Sequence, residues 1–182
     1  MADALDAEIG PAATRRLFSA CGLAGYLDAA PEHMVDEREV AALHAVIAAE
    51  LDPETARIVS WSAGARTGDY LLARRIPQAA QRLLRVLPSR LASRFLLAAV
   101  QRNAWTFVGS GDFRVTSGVP VRITISGCPI CRDVAAGAPR CGYFAATFQR
   151  LYRTLVHPKA EVREIACTAG ETRRCEFEIR WP

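Results

Sequence analysis

The sequence predicts an α+β fold, with helices through the first hundred residues, then a mostly antiparallel sheet and a long helix before its last hairpin. Three observations predict it. Up to Asn103 the chain is rich in alanine, poor in β-branched runs and punctuated by prolines at helix-start positions. From Val119 it alternates, with Val119, Val121, Ile123 and Ile125 on one side and Pro120, Arg122, Thr124 and Ser126 on the other. Further on, Phe144, Phe148, Leu151, Tyr152 and Leu155 are spaced to share one helical face.

The first two helices are expected near 12–28 and 36–51. The third has the clearest start: Asp52 can accept from free backbone N–H groups, Pro53 suits the first helical position and Glu54 suits the positive end. It should run from 53 to 74. Within it Gly64 and Gly68 lie four apart, leaving one face bare for close approach of a neighbouring element. Pro77 and Pro88 each open another helix, near 77–86 and 88–101, because proline loses nothing where its N–H would have no acceptor. Residues 103–108 and 112–116, around the Gly109-Ser110-Gly111 turn signal, fit a two-stranded hairpin. The half-buried strand from Val119 follows, then a loop over 128–140 carrying cysteine and glycine, then the helix of the phenylalanine face, stopped by His157-Pro158. Strands near 160–168 and 173–180 flank an Ala169–Thr172 turn, with Val162, Cys175, Phe177 and Ile179 on a buried face.

At 182 residues the chain is long enough for one substantial core and too short for separate cofactor and substrate domains. Residues 1–50 are expected as a helical extension packed on the same domain as 51–182. A hydrophobic fraction of 51% against 23% charged residues excludes bulk disorder. The net charge of +4 is modest, and 22 of its 23 basic residues are arginines spread along the chain, a pattern of solvated surface with no claim on nucleic acid. The greasiest run, Phe95 to Val100, is bounded by Arg94 and Gln101, so no transmembrane segment is expected. The acidic N-terminus lacks the basic and apolar regions of a secretory leader. A cytoplasmic protein is therefore expected, in which six cysteines read as metal ligands, redox groups or packing residues.

Five cysteines fall in the last third: Cys128-x2-Cys131-x9-Cys141, then Cys167-x7-Cys175. Cys21 stands apart and reads as a small buried hydrophobe. Thiolates are preferred zinc ligands, and four of them, or three with one oxygen donor, close a tetrahedral structural site. Glu164 can supply that oxygen. Residues three apart in a strand point to opposite faces, however, so Glu164 and Cys167 can face one metal only if a bulge or the strand's end lies between them.

The residues Cys141 and Glu164-Ile-Ala-Cys167-Thr-Ala-Gly170-Glu-Thr-Arg-Arg-Cys175-Glu-Phe177 resemble the 4-vinyl reductase domain family. That family is shared by a bacteriochlorophyll-biosynthesis protein and by the ligand-binding sensor domains of aromatic-responsive activators. The segment from Asn103 through Trp105, Phe107, Gly109 and Gly111 to Phe113 looks most like the biosynthetic branch, and the likeness extends over residues 50–180. The resemblance implies a structural zinc held by Cys141, Glu164, Cys167 and Cys175. The extra pair Cys128 and Cys131 is a departure: it can replace Cys141 and Glu164 beside Cys167 and Cys175, or act as a redox dithiol. A cluster without metal stands as the remaining alternative.

The family name implies reduction of a vinyl group on a chlorophyll precursor, which needs a hydride or electron source. Gly109 and Gly111 begin a dinucleotide fingerprint, but Arg114 stands at the third glycine's position. The cysteine spacing is not that of a [4Fe–4S] cluster, and zinc is redox-inert. No bound redox cofactor is expected. The resemblance then implies a protein that binds a magnesium tetrapyrrole and carries or presents it to pathway enzymes, with a vinyl reductase using an external donor as the alternative. A small-molecule sensor module is the second alternative, disfavoured because no output domain precedes Pro182. Trp105, Phe107 and Phe113 are the candidate pocket walls, with core packing as their plainer reading. Arg74 and Arg75 are candidates for a propionate, although a solvated helix face explains them as well. His33, His44 and His157 are conceivable axial ligands that no surrounding motif supports. A homodimer is implied by the sensor relatives only.

Overall fold

A computed structural model describes residues 1–131, 141–167 and 174–182. It is an α+β structure. Helices α1 (Ala2–Ile9), α2 (Pro11–Ala20), α3 (Gly25–Asp28), α4 (Glu37–Glu50) and α5 (Pro53–Tyr70) lead into a π-helical turn at Leu71–Arg75, and α6 (Gln78–Val86), α7 (Ser89–Arg102) and the short α8 (Trp105–Val108) follow. Strands β1 (Asp112–Thr116) and β2 (Val121–Ser126), helix α9 (Gly142–Leu155) and strands β3 (Glu161–Ala166) and β4 (Arg174–Arg180) complete the order. The sheet is antiparallel with strand order β1-β2-β4-β3. The 132–140 part of the expected loop and the Ala169–Thr172 turn, with Gly170, lie outside the described residues.

The helix starts follow their sequence signals. The Asp52 side chain accepts from the N–H groups of Glu54 and Thr55 at 3.1 and 3.0 Å, and Pro53 occupies the first turn of α5. Helix α4 begins in the same way, with Asp36 accepting from the Arg38 N–H at 2.8 Å. Helix α1 has no counterpart among the expected elements; it lacks a side-chain cap, and burial of Ala4 and Leu5 holds it where local signals are weak.

Two expectations need correction. The strand expected over 103–108 is helical, because Asn103 and Ala104 donate their N–H groups back to Ala99, Val100 and Gln101 and the chain continues into α8. These local hydrogen bonds override the β-preference of Trp105 and Phe107. The first hairpin is therefore β1 with β2, in which Phe113 faces Ile125 and Val115 faces Ile123. Val119 also lies outside the alternation: β2 starts at Val121, and Val119 is 75% exposed.

The inward residues of β2 and β4 form the floor of the core. Ile123 pairs with Phe177 and Ile125 with Cys175, and all four are buried, as is Val162 of β3. Helix α9 lies on this floor, where Phe148 and Phe144 meet the Phe177 ring at 5.7 and 6.3 Å. Its other side packs on α5 through the predicted glycine face. A Cβ on Gly64 would collide with the Tyr143 carbonyl oxygen, and one on Gly68 would lie 2.6 Å from the Arg150 Cβ. The close approach is sealed by hydrogen bonds. Thr147 Oγ1 donates to the Gly64 carbonyl at 3.0 Å, and the Tyr143 N–H donates to Ser60 Oγ at 3.1 Å. A second apolar cluster gathers Leu5, Leu17, Phe18, Leu43 and Ile47 around Val59, so α5 borders both cores.

Candidate metal centre

Each cysteine of the cluster is delivered by a different local device. Gly127, at φ +65°, turns the chain off β2 into Cys128 and Cys131, which are linked by a turn from the Cys131 N–H to the Cys128 carbonyl at 3.4 Å. Cys141 is the residue before α9, placed by the α5 contact through Ser60 and Tyr143. Cys175 is the second residue of β4, opposite Ile125. The Glu164–Cys167 conflict is resolved at a bulge: the β3–β4 register shifts between Glu164 and Ala166, and Cys167 follows the strand's end.

The five thiols converge in the buried core. Cys131 and Cys175 have sulfurs 3.2 Å apart, and Cys141 lies 3.4 Å from both and 3.5 Å from Cys128. Cys167 is 3.9 Å from Cys141 and from Cys175. No disulfide joins any of them among the described residues. A metal–sulfur bond of about 2.3 Å gives a tetrahedron edge of about 3.8 Å, close to these separations. Two sets of donors each lie within 4.8 Å of one another: Cys128, Cys131, Cys141 and Cys175, and Cys141, Glu164, Cys167 and Cys175. The buried cluster can therefore hold a metal ion. Cys128 and Cys131 group with Cys141, where the sequence had suggested Cys167.

The electrostatics suit a cation. Cys175 is pulled toward its thiolate by hydrogen bonds from the surrounding thiols, Cys128 first, while Cys141 and Cys131 are held protonated, again chiefly through Cys128. The buried Glu164 carboxyl is pushed up to about 9, first by loss of solvent and then by the charge of Cys167. Both its oxygens accept from the Cys141 N–H, at 3.1 and 2.9 Å, which ties the end of β3 to the start of α9.

Residues 121–181, from β2 to the end of the sheet, match the 4-vinyl reductase domain. Two bacteriochlorophyll synthase 23 kDa chains align over 176 residues, 96% of this chain: that of Cereibacter sphaeroides is 42% identical over 84% of its own length, and that of Rhodobacter capsulatus 41% identical over 80%. The chain belongs to this family. All six candidate ligands fall inside the domain match, and the 23 kDa likeness continues through the N-terminal helices.

Outside the domain match, Phe113 is buried, and the half-buried Phe107 meets it edge-on at 5.5 Å and Phe144 at 6.0 Å. The two rings thus pack among the phenylalanines of α9, while Trp105 is 63% exposed. Arg74 and Arg75 are exposed at the π-turn, with the Arg75 guanidinium 5.9 Å above the Tyr70 ring. His33 is exposed, and His44 meets the Tyr143 ring at 6.1 Å. His157 Nδ1 accepts from the Lys159 N–H at the end of α9, as its helix-stop role requires. Cys21 is half-buried and donates to the carbonyls of Leu17 and Phe18 at 3.4 Å.

Sequence reasoning missed an open groove of about 250 Å³. Arg90, Arg94 and Leu97 of α7 line one side, Val119 and Val121 another, and Trp181 closes it. The Trp181 ring rests 5.8 Å from that of Tyr152, whose hydroxyl is 2.9 Å from Ser93 Oγ. The four-residue step from Arg90 to Arg94 was a visible signal. The meeting of that step with a tryptophan ninety residues away was not.

Proposed function

We propose that this protein acts in bacteriochlorophyll biosynthesis by binding a magnesium tetrapyrrole, of the divinyl protochlorophyllide type, and presenting it to enzymes of the pathway. The likeness over nearly the whole chain to proteins named as chains of bacteriochlorophyll synthase carries this reading. The groove supports it chemically. A tetrapyrrole combines a flat apolar ring with a propionate carboxylate, and the groove sets an indole and aliphatic side chains beside two guanidinium groups. Its size suits one edge of the macrocycle rather than the whole ring.

The metal in this reading is a structural zinc held by Cys141, Glu164, Cys167 and Cys175, with Cys128 and Cys131 as the alternative donors. Bound there, zinc would supply folding free energy through its thiolate bonds. The residues themselves join the start of α9, the end of β3 and the start of β4, the three elements that meet over the core.

The test is titration of the zinc-loaded protein with divinyl protochlorophyllide, followed by pigment absorbance and tryptophan fluorescence. Saturable binding is expected, weakened at least about tenfold in Arg90→Gln or Arg94→Gln by loss of a charge-assisted hydrogen bond. Absence of binding contradicts the proposal. Binding unchanged in both variants removes the groove from it.

A further inference from the structure

Between Asp69 and Asp112 the chain has seven arginines and no carboxylate side chain. Nine arginines elsewhere pair with aspartate or glutamate, but among the described residues none of these seven makes an ion pair. The same segment exposes large apolar side chains. Along α7 the outward positions Leu91, Arg94, Phe95, Ala98 and Arg102 follow helical spacing, while Ala92, Ser93, Leu96 and Leu97 face the core. Phe95 is 60% exposed. On α6, Gln81 and Leu84 point inward, and the exposed Leu83 and the 79% exposed Val86 stand beside Arg82 and Arg85. Only Leu87 and Pro88 separate the two helices, which pack on one another.

We propose that the outer faces of α6 and α7 dock this protein on an anionic lipid surface. A basic face that interleaves arginine with leucine, valine and phenylalanine suits the boundary between headgroups and acyl chains. Guanidinium groups meet phosphates there, and the apolar side chains between them enter the acyl boundary. A second copy of the same face is a poor occupant, because seven arginines would oppose seven arginines with no carboxylate to pair them. An acidic protein would need carboxylates and apolar sockets alternating at side-chain spacing, whereas a fluid bilayer adjusts to such interleaving. The inference is independent of the pigment reading, since Arg82, Arg102, Leu91 and Phe95 do not line the groove.

The test is co-sedimentation of the intact protein with vesicles of phosphatidylglycerol in phosphatidylcholine, against phosphatidylcholine alone, at low and high salt. Binding to the anionic vesicles that falls with salt is expected. Each of Arg82→Gln and Arg102→Gln should weaken it about fivefold, and the double variant Leu91→Gln/Phe95→Gln about tenfold or more. Unfolding temperature and pigment titration of the same variants separate this surface from folding and from the groove. No binding to anionic vesicles overturns the proposal, as does binding indifferent to the Leu91/Phe95 change. Capture by polyglutamate without vesicle binding would reassign the face to an acidic protein.

Discussion

Replacing Gly64 by alanine tests how the helix packing places the cysteine site. The new methyl group would collide with the Tyr143 carbonyl and lie 2.9 Å from the Ala146 Cβ, both on α9. A backbone atom cannot step aside as a flexible side chain can, so α5 and α9 must separate. Overpacking of this kind costs up to about 3 kcal/mol, against about 1 kcal/mol regained from alanine's better helix propensity. The net loss is about 2 kcal/mol, which lowers the unfolding temperature by about 4–8 °C in a domain of this size. Because Cys141 precedes α9 and Tyr143 is anchored on Ser60, the same shift should loosen metal binding. Differential scanning calorimetry and metal analysis read both effects, with Gly25→Ala as a control at a glycine whose added Cβ would meet nothing within 4 Å. A Gly64→Ala protein as stable as the parent, with the same metal content, would refute the packing argument.

Three further outcomes are expected. Cys167→Ser should lower zinc affinity by more than about a hundredfold and reduce the unfolding temperature, as read by competition with a chromophoric chelator; full zinc and unchanged stability would exclude Cys167 as a ligand. Replacing Cys128 and Cys131 together by serine should preserve one zinc per chain if the glutamate-containing set holds the metal, and loss of that zinc would transfer the site to the four-cysteine set. Burial, with a smaller contribution from the N-terminal ammonium, depresses His44 from 6.5 to about 4. The unfolded chain then binds the extra proton between these values, so stability is full above pH 6.5 and falls toward pH 4. The loss reaches at most about 3 kcal/mol, less for the ring's partial exposure. Urea titrations at about pH 7 and about pH 4.5 should show this slope in the parent and not in His44→Phe.

Much of this was legible wherever a local pattern had a single physical solution. The Asp52-Pro53 start, the Gly64/Gly68 step, the alternation from Val121 and the Phe144–Leu155 face each became the element or contact they predicted. Even the Glu164–Cys167 conflict pointed to the bulge that resolves it. Trp105 and Phe107 mislead because β-preference takes no account of the helical hydrogen bonds that α7 passes into α8. Cys141, not Cys167, joins Cys128 and Cys131 because the α5–α9 contact carries Cys141 to them, a tertiary effect that spacing does not express. The groove escaped for the same reason, since Arg90 and Trp181 meet only when the sheet's last strand is laid beside α7.

The most direct measurement mixes the zinc-loaded protein with divinyl protochlorophyllide and excess reduced nicotinamide, and follows both bound pigment and the monovinyl product. The account predicts saturable binding with the divinyl pigment recovered unchanged. Turnover to the monovinyl product by the purified protein would contradict the carrier reading and identify a reductase.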